Sequence, residues 1–302
     1  MKYLRVSQVG AALASAALLC APAFAQARHH RFSVNFRNGG NSCADLEVKS
    51  DGVIAIAAEQ FTSATSSLEI DATQRGVIRV HGADRSDFAI DACKVAVADD
   101  QGRAQQMLAA ISVSRSAGRV STVGPSGQSG QWDVYYIVQA PRNGSVDLST
   151  VNGPIEVRDL NGAVKVRATN GPLSISNCSG QVDAQTTNGP ISFSGSGGDV
   201  KLNASNGPIS LKLAGDFWNG PGLEAVTSNG PVSVALSNTF RSGFRLESSG
   251  NAPMSCKADF CQNALADMGT DQRVLRLNGS SDTVRVSTHN GPVSIKGTNG
   301  IL

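Results

Sequence analysis

Charge is scarce in this chain. Lys, Arg, Asp and Glu make up 17% of its 302 residues, and no basic stretch goes beyond Arg28-His29-His30-Arg31. The electrostatic footprint of a nucleic-acid binder is therefore missing. Long apolar runs are equally rare. Past the first residues, no segment stays apolar for the ~18 residues that a membrane-spanning helix needs. The signatures of common chemistries are absent as well: no Gly-x-Ser-x-Gly elbow, no phosphate-binding glycine loop before a lysine, no His-Glu-x-x-His and no paired Cys-x-x-Cys. His29 and His30 have no third ligand at a matching spacing, so that patch reads as a solvated terminus and neither a metal nor a cofactor is expected.

The N-terminus carries a leader. Lys2 and Arg5 precede an apolar run from Val9 to Cys20, and Ala23-Phe24-Ala25 supplies a small-x-small cleavage site. Residues 1–25 are expected to be a signal peptide, with the mature chain starting at Gln26. Leu19 stands where a lipobox before Cys20 would want a small residue, which argues against lipidation. The expected destination is the periplasm, the cell surface or the medium. Cleavage removes two of the 26 basic residues and leaves 24 against 24 acidic ones, a near-neutral chain.

Five cysteines remain, and disulfides are expected in an exported protein. Cys256 and Cys261 bracket a short loop and are the easiest pair to close; Cys43 with Cys93 is the next candidate. The odd count leaves Cys178, whose place in the pattern suits a small packed hydrophobe.

What the chain has in abundance is a period. Asn-Gly-Pro occurs at Asn152, Asn170, Asn188, Asn206, Asn229 and Asn290, with the first four asparagines 18 residues apart. A unit this short cannot bury a core alone, so its recurrence implies stacking. After each motif an apolar, polar, apolar triplet follows, as in Leu173-Ser174-Ile175 and Ile191-Ser192-Phe193. Before each Asn the same alternation recurs, as in Val164 with Val166. Each unit thus holds two short strands with one dry face. Asn-Gly commonly closes a hairpin, yet the residue after Gly here is Pro, which lacks the N–H that would close it. Corners in a coil fit better, with Asn and Gly turning the chain and Pro launching the next strand. The expectation is an all-β parallel β-solenoid whose equivalent strands stack about 4.8 Å apart.

Stacking makes residues one period apart into neighbours. Five residues before each Asn stand Asp147, Lys165, Asp183, Lys201 and Glu224, alternating in sign; Arg245, before the degenerate corner Ser249-Gly250-Asn251-Ala252-Pro253, would continue the series. The six asparagines are expected to form an amide ladder. Ser174, Ser192, Ser210, Ser233 and Ser294 form a row without distinct activating neighbours and read as surface filler. His81 and His289 read as exposed or locally satisfied.

Residues 26–131 form a less regular, β-rich part. Leu46-Glu47-Val48 with Val53-Ile54-Ala55-Ile56, Leu68-Glu69-Ile70 with Val77-Ile78-Arg79-Val80, and Phe88-Ala89-Ile90 with Lys94-Val95-Ala96-Val97 suggest further coils, and Asp100 to Ala110 has helical spacing. Residues 132–302 form the regular part, with an insertion near 254–280. One step lengthens to 23 residues to admit Phe217-Trp218-Asn219-Gly220-Pro221. Phe217 and Trp218 are therefore candidate binding residues, either stacking on a sugar or packing against the coil.

The run Asp133-Val134-Tyr135-Tyr136-Ile137-Val138-Gln139-Ala140-Pro141, with Val151-Asn152-Gly153-Pro154-Ile155-Glu156-Val157 and the later coils, resembles the bacterial putative adhesin family of exported β-strand repeats, over roughly residues 40–300. The resemblance implies a β-solenoid, an envelope location and a role in adhesion or surface scaffolding toward envelope glycans or surface proteins, with no catalytic residues to transfer. Two alternatives stand beside it: a carbohydrate-binding module and a polysaccharide-acting enzyme. The second needs clustered carboxylates, and the interleaved Lys165 and Lys201 separate Asp147, Asp183 and Glu224. The sequence does not specify an oligomeric state.

Overall fold

The computed structural model describes residues 32–36, 40–72, 75–126, 130–249, 252–268, 272–279 and 281–298. The expected signal peptide, the Arg28–Arg31 patch, residues 127–129, and Gly250 and Asn251 of the degenerate corner lie outside the described residues.

The alternating apolar positions sort the strands into two long sheets, of twelve and eleven strands, built largely from parallel pairs. Successive strands of the chain go to opposite sheets. Ser145–Asn152, Val164–Asn170, Gln181–Asn188, Gly197–Asn206 and Asn219–Asn229 lie side by side in one; Ile155–Arg158, Leu173–Ser176, Ile191–Gly195, Ile209–Leu213 and Val232–Ser237 lie side by side in the other. Val146, Val164, Val182 and Val200 are consecutive partners across four strands, and all are buried. The facing sheet contributes the row Ile155, Leu173, Ile191, Ile209 and Val232 to the same core. Each such side chain contributes roughly 1.5–3 kcal/mol by leaving water.

The corners work differently from the sequence expectation. Of the six Asn-Gly-Pro glycines only Gly153 has a positive φ, +147°, and none of the asparagines does. Glycine is required for close approach instead. A Cβ at Gly171 would lie 2.1 Å from the Gly153 carbonyl oxygen, and one at Gly189 would lie 2.2 Å from that of Gly171. The Asn188 carbonyl accepts the Gly171 N–H, and the Pro190 carbonyl accepts the Leu173 N–H. Proline thus serves the ladder as an acceptor, and its missing N–H goes unneeded.

Three further rows follow the same register, two of them polar. The amide of Asn170 donates to Asn152 at 3.0 Å, Asn188 to Asn170 at 2.9 Å, Asn206 to Asn188 at 3.1 Å, Asn229 to Asn206 at 3.0 Å and Asn290 to Asn229 at 2.9 Å. Asp147, Lys165, Asp183, Lys201 and Glu224 are consecutive partners, with Lys165 Nζ 3.3 Å from Asp147. Inside, Thr150, Ala168, Thr186, Ala204 and Thr227 succeed one another; Thr227 donates to the Gly207 carbonyl at 2.9 Å.

Two expectations about the less regular parts need correction. Ser67–Asp71 and Gly76–Ala83 do stack in parallel, on Ser145–Asn152 and Ile155–Arg158. The other N-terminal segments do not form coils. Leu46–Ser50 makes an antiparallel hairpin with Phe32–Phe36, while in the eleven-stranded sheet Phe88–Ala98 runs antiparallel to both Val53–Ser63 and Gln131–Pro141, the latter lying parallel to Gly76–Ala83. Phe88–Ala98 is one strand of 11 residues, apolar on both faces. Phe88 and Ile90 face the main core, whereas Cys93, Val95 and Val97 face a second cluster covered by the hairpin. The helix spans Gln101–Ala110, is capped by the Asp100 carboxylate accepting from the Arg103 N–H, and buries Ala104 and Met107.

The second correction concerns Arg245. It does not sit beside Glu224, because Val284–Asn290 lies between their strands and presents Arg285 to both. The charge series therefore runs from Glu224 to Arg285 and then meets a like charge.

Candidate functional site

The parallel strands leave an open groove of about 540 Å³ on the outer face of the twelve-stranded sheet, running across the stack. One wall is the row Ser149, Arg167, Gln185 and Asn203, each the register partner of the next. The other is Val151, Thr169, Thr187, Ser205 and Ser228, just before the asparagine corner. Between them Thr150, Ala168, Thr186 and Ala204 turn their side chains into the core, so the floor is backbone. The walls are near neutral. Arg167 pairs with Asp147 at 3.2 Å, the Ser149 hydroxyl donates to Asp71 at 3.2 Å, and the Gln185 amide donates to Asp183 at 3.0 Å. Apart from Arg167 and Val151, the walls are hydroxyl and amide groups that recur at the strand spacing, about 4.8 Å, along the channel. Sequence reasoning noted the period but passed over these positions, since each residue is an ordinary surface residue and only their common offset from the Asn marks them.

A smaller cavity, about 100 Å³, lies on the outer face of the other sheet beside the hairpin. Arg79 pairs with Glu156 at 3.3 Å and its guanidinium lies 4.1 Å from the Phe36 ring centre. Arg158 donates to Asn41 at 3.3 Å. His81 Nε2 stands 3.1 Å from the Asp159 carboxylate. A His–Asp pair supplies half of a relay, but no Ser, Thr or Cys lines this cavity. His289 Nδ1 shares a hydrogen bond with the Ser249 hydroxyl at 2.6 Å.

The aromatic insertion divides its two residues. Trp218 is buried, its indole N–H donates to the Gly198 carbonyl at 3.1 Å, and its ring centre is 6.1 Å from that of Phe193. It fills the space opened by the longer step and presents no face to a ligand. Phe217 is exposed. The disulfides have structural positions: Cys43–Cys93 pins the hairpin to the strand beneath it, and Cys256–Cys261 closes a short loop. Cys178 is buried and free, and burial pushes its thiol up to about 11, which keeps it protonated and inert.

One carboxylate, half-buried with one oxygen out of solvent, stands apart. Asp133 Oδ1 has no hydrogen-bond partner among the described residues, while the Tyr135 hydroxyl donates to Oδ2 at 3.3 Å. Burial pushes the carboxyl up to about 6 against the opposing pull of Arg75. Because the folded value lies above the unfolded one, this contribution to stability is full below about pH 4 and is lost as pH rises through about 6. The wild type is expected to lose on the order of 1–3 kcal/mol between pH 4 and pH 7 from this group. Urea midpoints across that range measure it; Asp133→Asn should flatten the slope, and an unchanged slope would clear Asp133 of the effect.

Among the described residues, no group of three or more His, Cys, Asp or Glu is placed to hold a metal, and no helix is long and apolar enough to cross a membrane. No protein-family model and no curated protein matches the chain. Solved structures similar to it include a putative adhesin of Bacteroides fragilis NCTC 9343, with 11% identity, a TM-score of 0.39 and coverage of 81% of this chain and 97% of that one. A putative adhesin of Parabacteroides merdae ATCC 43184 shows 8% identity, a TM-score of 0.38 and coverage of 80% and 96%. A putative cell adhesion protein of Clostridium sporogenes ATCC 15579 shows 10% identity, a TM-score of 0.33 and coverage of 81% and 100%.

Proposed function

We propose that the chain is a noncatalytic, exported cell-envelope β-solenoid that works as an adhesive or scaffolding surface, with the outer groove as its contact face for a neutral, extended polymer such as an envelope glycan. The observation that carries this reading is the groove itself: two rows of mostly hydroxyl and amide side chains, one across four successive strands and one across five, with a backbone floor and little net charge. A polymer lying along the stack meets a polar side chain at nearly every step, so weak contacts add along its length. Two disulfides, and the leader expected from the sequence, support the exported location. Acids interleaved with lysines in register support binding over hydrolysis, because the carboxylates are kept apart.

Binding of the purified mature protein to an array of neutral glycans tests the proposal. The double variant Gln185→Ala/Asn203→Ala should weaken binding at least ~10-fold, equivalent to about 1.4 kcal/mol. Both side chains are exposed, so stability should change by less than about 0.5 kcal/mol. Phe217→Ala, outside the groove, should bind as the wild type does. Turnover of a bound polysaccharide, or binding indifferent to the groove variants, would overturn the reading.

A further inference from the structure

The order of strands at one end of the stack departs from the order of the sequence. Val284–Asn290 lies between Asn219–Asn229 and Phe244–Ser249 and is parallel to both. In the other sheet Val293–Thr298 lies between Val232–Ser237 and Met254–Lys257. The last described strand pair is thus inserted into a slot whose two walls both precede it in the chain. It is held there by the same ladder as every other layer. The Asn290 carbonyl accepts the Gly230 N–H at 2.9 Å, the Pro292 carbonyl accepts the Val232 N–H at 2.9 Å, and on the far side the Val293 N–H donates to the Pro253 carbonyl at 3.0 Å.

The charges show that the walls also suit each other. With the pair inserted, Arg285 stands beside Arg245, which faces Arg276 on its other side, so three arginines occupy neighbouring strands. Asp282 offsets this from 3.3 Å of Arg245 and 3.9 Å of Arg285, and Glu247 pairs with Arg245. Without the pair, Glu224 would meet Arg245 and the alternation that begins at Asp147 would continue unbroken. An opened slot therefore has a complementary closure while the pair is elsewhere. The tether is short: residues 278–283 join Leu277 to Val284, with Asn278 at φ +60° and Gly279 at φ +95° with no atom near its Cβ position, and it is pinned by the Asn278 amide donating to the Phe240 carbonyl at 2.8 Å and by the Leu223 N–H donating to the Thr283 carbonyl at 3.0 Å.

We propose that this strand pair is exchanged between two copies of the chain, Val284–Asn290 and Val293–Thr298 of one copy entering the slot of the other. Every ladder bond and buried contact made within one chain is made again between two, so only the tether path changes; such exchange is a low-cost route to a dimer. The proposal is independent of what the groove binds.

The test mixes two variants of the chain from Gln26 onward in a Cys178→Ala background, one carrying Glu224→Cys and the other Arg285→Cys, so that each has one free cysteine beside the two disulfides. These positions are register partners in the slot. The mixture is warmed to partial unfolding, cooled and exposed to mild oxidant. The expected result is a covalent heterodimer joined at 224–285, about 10-fold above the yield from Asp147→Cys mixed with Arg285→Cys. As a second measurement free of substitutions, wild-type chains of normal and heavy isotope mass, warmed and cooled together, should give mixed dimers by native mass spectrometry. A heterodimer yield no higher than the control, or wild-type chains that remain monomeric, would overturn the proposal.

Discussion

Replacing Trp218 with Ala lowers unfolding free energy by about 3–5 kcal/mol, as large aromatic core truncations do. The side chain is 6% exposed, packs on Phe193 and satisfies the Gly198 carbonyl, so its loss opens a cavity and orphans an acceptor at once. Its backbone N–H, bonded to the Ser242 hydroxyl at 2.9 Å, would remain in place, so the loop should keep its course around the gap. Urea denaturation measures the loss, and Trp218→Phe should recover part of it. A change below about 1 kcal/mol would place the indole outside the core and restore it as a ligand platform.

Gly189→Ala is the second large effect. The added methyl would sit 2.2 Å from the Gly171 carbonyl oxygen and 2.7 Å from its carbon, inside the contact that holds one corner on the next. Neither atom belongs to a flexible side chain, so the layers must part or the corner must rotate, and the Gly171 N–H would lose its bond to the Asn188 carbonyl. We expect a loss of about 3 kcal/mol or more, at the upper end of overpacking substitutions. Gly279→Ala is the contrasting variant. That residue has φ +95° and open space around it, so only the left-handed conformation is penalised, at about 1–2 kcal/mol. Equal costs at the two sites would mean that conformation, not stacking distance, selects glycine at the corners.

The parallel stack was legible because every layer repeats the same demands. Val164, Val182 and Val200 needed no long-range information to be assigned a common row. The function of the corner glycine was not, since a residue that permits unusual φ and a residue that permits close approach are the same residue. Local pattern also misled at Phe88–Ala98, whose alternation looks like two short coil strands; what decides the long antiparallel strand is that Cys93, Val95 and Val97 find a second hydrophobic cover in the hairpin. At Arg245 the sequence series has the right sign for its neighbour, yet the neighbour is supplied from forty residues downstream, by Arg285. The groove lay hidden for the opposite reason. Ser149, Arg167, Gln185 and Asn203 differ in type, and only register makes them a wall.

Pulsed electron–electron spin resonance between labels at positions 147 and 224 tests the stacked register directly. Asp147 and Glu224 are 77 residues apart in the chain, yet the ladder places them four strand spacings apart on one face. The account predicts a narrow distribution with backbone positions about 19 Å apart. A mean beyond about 30 Å, or a distribution without a defined peak, would contradict strands stacked at this spacing.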